Sequence, residues 1–265
     1  MPEHSRHLIL IPSYNTGAQL LTTVRSVLSV WPDVWVVIDG STDGSERALE
    51  PYQTPHPGLR ILRRERNGGK GAAVASALAP ARAAGFTHAL VMDADGQHPV
   101  THVRAFIDVS RSTPEAMVLG QPVFGPEAPL ERLYGRKVSI GLTHLETLGR
   151  EIADPLFGFR IYPIAPLEQA LSATSQARGY DFDPEVVVRL FWAGVPVINV
   201  PAPCRYLSPG EGGVSHYHYF RDNVKMAWLH LRLLSELVGW RWRQVRRLRR
   251  QRAESASSLS ASPAP

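Results

Sequence analysis

Five short apolar runs alternate with helix-forming stretches along the first 120 residues, and this rhythm constrains the fold more than any other feature. Leu8–Ile11, Trp35–Ile38, Leu59–Leu62, His88–Met92 and Ala116–Leu119 read as strands. Most lack polar alternation, as strands do when a parallel sheet is covered on both faces. Ala18–Val30, Ser45–Tyr52, Gly69–Ala84 and Val100–Ser110 suit the helices between them. A βαβ rhythm of this kind predicts an open, doubly wound α/β sheet. Ligands of such sheets sit outside the carboxyl ends of the strands, so chemistry is sought just after each run.

Four polar clusters stand there. They are Pro12-Ser-Tyr-Asn15, Asp39-Gly-Ser-Thr-Asp43, Asn67-Gly-Gly-Lys-Gly71 and Asp93-Ala-Asp-Gly-Gln-His98. Asp93 and Asp95, two apart with Gly96 permitting a turn, can face one hard cation. Mg²⁺ or Mn²⁺ takes one or two carboxylates plus substrate phosphates, and Gln97 could add an oxygen. The same residues also suit an Asx turn that caps a helix. Asp39 can accept from a ribose or a base, or belong to a helix start with Ser41 and Asp43 as caps. Lys70, among glycines at a helix start, suits phosphate, although the spacing is not the Walker pattern and such a turn can be only a turn.

The second half is less regular. Leu130–Leu148 and Pro184–Trp192 read as helices, and Phe159–Tyr162, Val195–Val200 and Arg205–Leu207 as strands. Tyr180-Asp-Phe-Asp-Pro-Glu185 holds two acids, Asp183 and Glu185. They are either a catalytic base or ordinary first-turn acids favoured by the helix dipole.

Charge is unevenly placed. Residues 1–220 hold 19 Lys/Arg against 21 Asp/Glu, whereas residues 221–252 hold 10 Lys/Arg against Asp222 and Glu236, a net of +8. Apolar residues recur at helical spacing from Val224 to Leu248, so this segment reads as one long helix, or as two with a break at Gly239. A basic amphipathic helix with Trp240 and Trp242 suits a membrane surface. Packing on the protein body and nucleic-acid binding are the competing readings. Residues 253–265 are Ser/Ala/Pro-rich and read as a disordered tail. The single cysteine, Cys204, excludes an internal disulfide and suits a reducing compartment. No apolar run reaches the ~18–20 residues of a membrane span, and the start lacks a signal-peptide core, so a cytoplasmic location outside the secretory route is expected.

Together, these motifs resemble the family 2 inverting glycosyltransferases of GT-A fold over roughly residues 7–216. The branch most alike is that of the dolichyl-phosphate mannose/glucose synthases and their bacterial relatives, including those linked to lipid or aryl-polyene assembly. Met92-Asp-Ala-Asp-Gly-Gln-His-Pro99 resembles the family's metal motif, and Asp154-Pro-Leu-Phe-Gly-Phe-Arg160 its Asp-Pro-Xaa-Ser-Gly-Phe-Arg segment.

The resemblance implies a Rossmann-like open mixed sheet flanked by helices, and the basic helix read from the residues at 217–252 would follow it. It implies a UDP- or GDP-linked sugar donor in a pocket of Pro12, Tyr14, Asn15, Asp39, Lys70 and Asp93. Asp93, Asp95 and Gln97 would hold Mg²⁺ or Mn²⁺, and Arg160 would bind phosphate or acceptor. A hexose would pass to a lipid-linked acceptor at the inner face of the cytoplasmic membrane, with no nucleic-acid partner. A lipid phosphate needs no base; a hydroxyl acceptor would need Asp183 or Glu185. Nucleotidyl transfer and a silent sugar-nucleotide-binding module are the alternatives. Three positions depart from the family pattern. Ile38 replaces an Asp, Phe157 stands at the Ser position, and His216 stands where a Lys is common.

Overall fold

The structure is a computed structural model. It describes residues 5–125, 130–204 and 219–260, with side chains on the last helix described as far as residue 242. Seven strands form one sheet in the order β3-β2-β1-β4-β6-β5-β7. Strands β1 (His7–Ser13), β2 (Val34–Asp39), β3 (Leu59–Arg64) and β4 (His88–Val91) run parallel. β6 (Arg160–Pro163) is antiparallel to both β4 and β5 (Met117–Phe124). β7 (Val197–Cys204) is parallel to β5. The expected open sheet is therefore present, and it is mixed.

Alternation along the central strands splits the apolar side chains between two cores. Leu8, Leu10, Trp35 and Val37 enter one; Ile9, Ile11, Val34, Val36 and Ile38 enter the other. The first core is covered by α3 (Lys70–Ala83), α6 (Ile164–Ser172), α7 (Phe182–Trp192) and part of α8 (Tyr219–Ser260). The second is covered by α1 (Ala18–Leu28) and α4 (Val103–Ser112). Both faces being covered is why β1, β2 and β4 are buried at every position. The edge strand β3 is instead buried only at Leu59, with Arg60 and Arg63 exposed. α2 (Glu50–Gln53) is a single turn, and α5 (Leu130–Thr147) packs beside α7 and α8.

Several expectations are corrected. α6 was not expected; Pro166 in its first turn obscures its apolar pattern. α8 runs unbroken through Gly239 to Ser260, so its helix extends into the Ser/Ala-rich stretch expected to be disordered from 253. Alanine and glutamate there favour helix, and no proline intervenes before Pro263. The expected strand Arg205–Leu207, the Ser208–Gly213 loop and His216 lie outside the described residues.

Topology also places the crevice. The chain builds outward from β1 to β2 and β3, then returns to add β4 on the other side of β1. The loops after β1 and β4 therefore diverge at a switch point, where such sheets bind ligands.

Candidate active site

The loop after β1 is stitched to the loop after β2. Asn15 holds a left-handed backbone at φ 47°, its amide oxygen accepts from the Thr42 N–H at 2.8 Å, and its own N–H donates to Ser41 Oγ at 3.1 Å. Asp43 Oδ2 accepts from the Gly17 N–H at 2.8 Å, so Asp43 braces this loop pair. Tyr14 is about one third exposed beside it, whereas Pro12 is buried within β1 opposite Val37.

Asp39, at the end of β2 and 2% exposed, binds the third cluster. It accepts from the Gly69 N–H at 2.7 Å, from the Gly68 N–H at 3.1 Å, and from the Arg64 guanidinium. Gly40 and Gly69 have positive φ and lie against backbone, Gly40 on Asn67 and Gly69 on Arg178, so a side chain fits at neither. The start of α3 is held from the far side too. The Arg178 carbonyl accepts from the Gly71 N–H at 2.9 Å and the Ala72 N–H at 3.3 Å.

Lys70 is thereby fixed at the centre. Its ammonium lies 2.7 Å from Asp93 Oδ1 and 2.7 Å from Asp183 Oδ2. Burial opposes its charge, but Asp183 and then Asp93 more than offset that, so its pKa stands above the usual lysine value. Gly158 makes room for this contact, since a Cβ there would meet Lys70 Nζ at 2.5 Å and Asp93 Oδ2 at 2.8 Å.

Burial alone would raise the Asp93 carboxyl; Lys70 and then His98 overcome it and bring the pKa down to about 2. Burial and the neighbouring Asp93 charge push Asp95 the other way, above the ordinary carboxylate value. Asp95 Oδ1 accepts from the Gln97 N–H at 3.0 Å. Gln97 thus fixes the carboxylate through its backbone. His98, 6% exposed, accepts the Asp93 N–H on Nδ1 at 2.9 Å. Burial lowers its pKa, so the ring is neutral at pH 7, with its proton on Nε2 facing Asp93 Oδ2 at 3.6 Å. Phe157 presents its ring edge to His98 at 5.0 Å and is 3% exposed. The aromatic departure from the family pattern therefore packs against the histidine that holds the Asp93 backbone.

The donor set fits Mg²⁺ or Mn²⁺. Two carboxylates sit together, and a dication would offset both the burial and the Asp93 charge that raise Asp95. Among the described residues no group of three or more His, Cys, Asp or Glu gathers to enclose a metal. Such a site leaves coordination positions for diphosphate oxygens and water.

Two sequence-derived candidates are placed elsewhere. Arg160 is completely buried beneath the cleft and donates to the Asp183 carbonyl at 2.8 Å, the Tyr162 hydroxyl at 3.2 Å and the Asp154 carbonyl at 3.2 Å. It holds the loop bearing Asp154 against α7. Glu185 is equally buried and is spent on Arg189 Nε at 2.8 Å and Arg232 Nη2 at 2.6 Å, the latter from α8. Arg160 meets the site only from below, 3.7 Å from Asp183 Oδ1, and Glu185 is taken up between α7 and α8. Sequence reasoning assigned no role to His98 or Gly158. Both lie inside quoted motifs, and a histidine three residues after a metal-type Asp pair was the available signal.

Asp39, at the end of β2, is tied to Gly69, and Lys70, the next residue, joins Asp93 after β4 to Asp183 in the first turn of α7. Comparisons with known proteins bear on the family and the fold. Residues 8–171 match the model of Glycosyl transferase family 2. The chain is 26% identical over 202 residues to the polyprenol monophosphomannose synthase of Mycolicibacterium smegmatis, covering 74% of this chain and 76% of that protein. It is 25% identical over 215 residues to the undecaprenyl-phosphate mannosyltransferase of Micrococcus luteus, covering 79% and 88%. In fold it is similar to glucosyl-3-phosphoglycerate synthase of Mycobacterium tuberculosis, solved with Mn²⁺, uridine diphosphate and glucosyl-3-phosphoglycerate. That match has a TM-score of 0.63 and 17% identity, and covers 89% of this chain and 80% of that one. With the sheet, the motifs and the family model in agreement, the chain belongs to glycosyl transferase family 2 and has the GT-A fold.

Proposed function

We propose that this glycosyltransferase moves a hexose from a nucleoside diphosphate sugar to a lipid-linked or polyprenyl-phosphate acceptor, with inversion and with help from a divalent metal. The observation that carries this reading is the convergence of Asp39, Lys70, Asp93 and Asp95 at the switch point beside β1. The names of the two mannosyltransferase relatives support a polyprenyl-phosphate acceptor, and the Mn²⁺ and uridine diphosphate of the fold relative support the metal and the donor.

In this reading the loops carrying Tyr14, Asn15 and Asp39 cradle the base and ribose. Asp93 and Asp95 would hold the metal, which would supply positive charge to offset that of the diphosphate. Gln97 and His98 fix those carboxylates before the donor arrives, which spares reorganisation during reaction. Lys70 holds Asp93 and Asp183 at a set separation and places a cation beside the diphosphate. A phosphate acceptor needs no base. For a hydroxyl acceptor the base is Asp183, because it shares Lys70 with Asp93 and its Oδ1 accepts no hydrogen bond, with the Arg160 guanidinium 3.7 Å away, whereas both Glu185 oxygens are occupied. Arg160 is a positioning residue for that acid.

We read residues 1–216 as the catalytic unit and 217–252 as a basic helix that brings it to a membrane surface. No helix among the described residues is long and apolar enough to cross a membrane. The test is a panel of UDP- and GDP-hexoses with Mn²⁺ and polyprenyl phosphate. Sugar-dependent nucleoside diphosphate release, lost in Asp95→Ala, supports the reading. Pyrophosphate release from a nucleoside triphosphate, or donor binding without turnover, refutes it.

A further inference from the structure

The inner side of α8 is built into the body. Leu229 and Leu233 are buried in the first core, Arg232 pairs with Glu185, and the Trp240 Nε1–H donates to the Trp192 carbonyl at 3.0 Å. The outer side is apolar as well. Val224, Trp228, Leu231, Val238 and Trp242 recur at steps of three, four and seven residues and are 54–73% exposed. Tyr134, Val138 and Leu145 of α5 repeat that spacing at 52–67% exposure. A helix that only packed on the body would need one apolar stripe; α8 has two, on opposite sides.

Beside the outer stripe lies a hollow of about 200 Å³ between α8 and the loop before α7. Arg178, Lys225 and Arg232 line it with positive charge, and Trp228 forms a wall. Arg232 spends its terminal nitrogens on Glu185 and Glu236, and its Nε is buried without a partner. The acid in the hollow, Asp181, is already engaged by the Ala177 and Gly179 N–H groups at 3.2 and 2.8 Å.

We propose that the outer face of α8 docks on an anionic lipid surface, with one lipid phosphate seated among Arg178, Lys225 and Arg232. Charge selects this occupant. Residues 221–252 carry a net of +8, which repels a second copy of the same helix and attracts an anionic leaflet. Exposed indoles on a basic helix suit the boundary between headgroups and acyl chains. A polyanion in water would leave the apolar stripe unused. The hollow also shares a loop with the donor cleft, since the Arg178 carbonyl receives the first N–H groups of α3 next to Lys70. This inference rests on the proposed lipid-linked acceptor for its purpose, but not for its test.

The full chain, without donor, is sedimented with vesicles of phosphatidylcholine alone or with one third phosphatidylglycerol. Binding is expected only to the anionic vesicles, and it should weaken at 0.5 M salt. Removing a basic charge costs about fivefold in affinity, so Lys225→Glu should lose tenfold or more. Trp228→Glu with Leu231→Glu should abolish sedimentation, and Val238→Glu should weaken it independently. Uridine diphosphate binding in solution, measured on the same variants, should be unchanged. Equal sedimentation of parent and variants overturns the proposal. So does a parent that ignores anionic vesicles, or one that is a dimer split by Leu231→Glu. Intact vesicle binding without sugar transfer would count against the proposed function and not against this surface.

Discussion

Replacing Lys70 with methionine tests how the site is held together. The side chain keeps its length and loses its charge. At 2.7 Å and an effective dielectric constant near 20, each Lys70–carboxylate contact has a gross attraction of about 6 kcal/mol. Most of that is returned, because Lys70 no longer has to be desolvated. Breaking a buried pair by removing one partner costs ~3–5 kcal/mol net. The Asp183 contact, with side chains 14% and 11% exposed, should carry most of it. The Asp93 contact counts for less, since that carboxylate is 35% exposed and solvent screens it.

The expected loss is about 3 kcal/mol at pH 7, at the lower end of the range for a broken buried pair. At ~2–4 °C per kcal/mol this is a melting temperature lower by about 6–12 °C. The pH dependence follows from Asp93. Its folded pKa, about 2, lies below the unfolded value, so its stabilising contribution is complete above the unfolded pKa and is lost as pH falls towards 2. The gap between parent and variant should therefore narrow on acidification from pH 5 to pH 3, read by calorimetry or circular dichroism. Equal melting at pH 7, or a gap that does not narrow, would refute the reasoning.

Three further outcomes are expected. Glu185→Gln should loosen α8, because the partly buried Arg189 and Arg232 lose a fully buried carboxylate; about 3 kcal/mol should disappear from a urea titration, with donor affinity retained. Gly71→Ala should be more damaging than its size suggests, since the new methyl would overlap the Ala177 carbonyl and the Phe182 ring; failure to accumulate folded protein, or a loss beyond ~3 kcal/mol, is the expected reading. Asp39→Asn keeps the shape but weakens the charged acceptor of two N–H groups and Arg64; uridine diphosphate affinity should fall by at least tenfold in calorimetric titration, and unchanged affinity would remove Asp39 from the nucleotide pocket.

Much of this was legible in the sequence for identifiable reasons. The strands β1, β2 and β4 and the first half of β5 are apolar runs because their sheet is covered twice. Their polar ends are short-range motifs, so Asp39, Asp93 and Asp95 could be named before any coordinates. Partners far apart in sequence were not legible. Lys70 and Asp183 are separated by 113 residues, and nothing local to either announces their pairing. Arg160 reads as a phosphate ligand from its motif, yet its neighbours in space bury it completely. Glu185 reads as a first-turn acid, and only the return of α8 shows that it ties two helices together. The antiparallel β6 was seen as a strand, but its direction depends on the path through residues 125–159, which strand periodicity does not encode.

Anomalous diffraction from crystals grown with Mn²⁺ and uridine diphosphate tests the central claim most directly. The account predicts one manganese at about 2.1 Å from a carboxylate oxygen of Asp95, with diphosphate oxygens completing its shell and the uracil beside Tyr14, Asn15 and Asp39. Manganese bound away from the 93–95 turn, or a nucleotide seated elsewhere than the β1–β4 switch point, would contradict it.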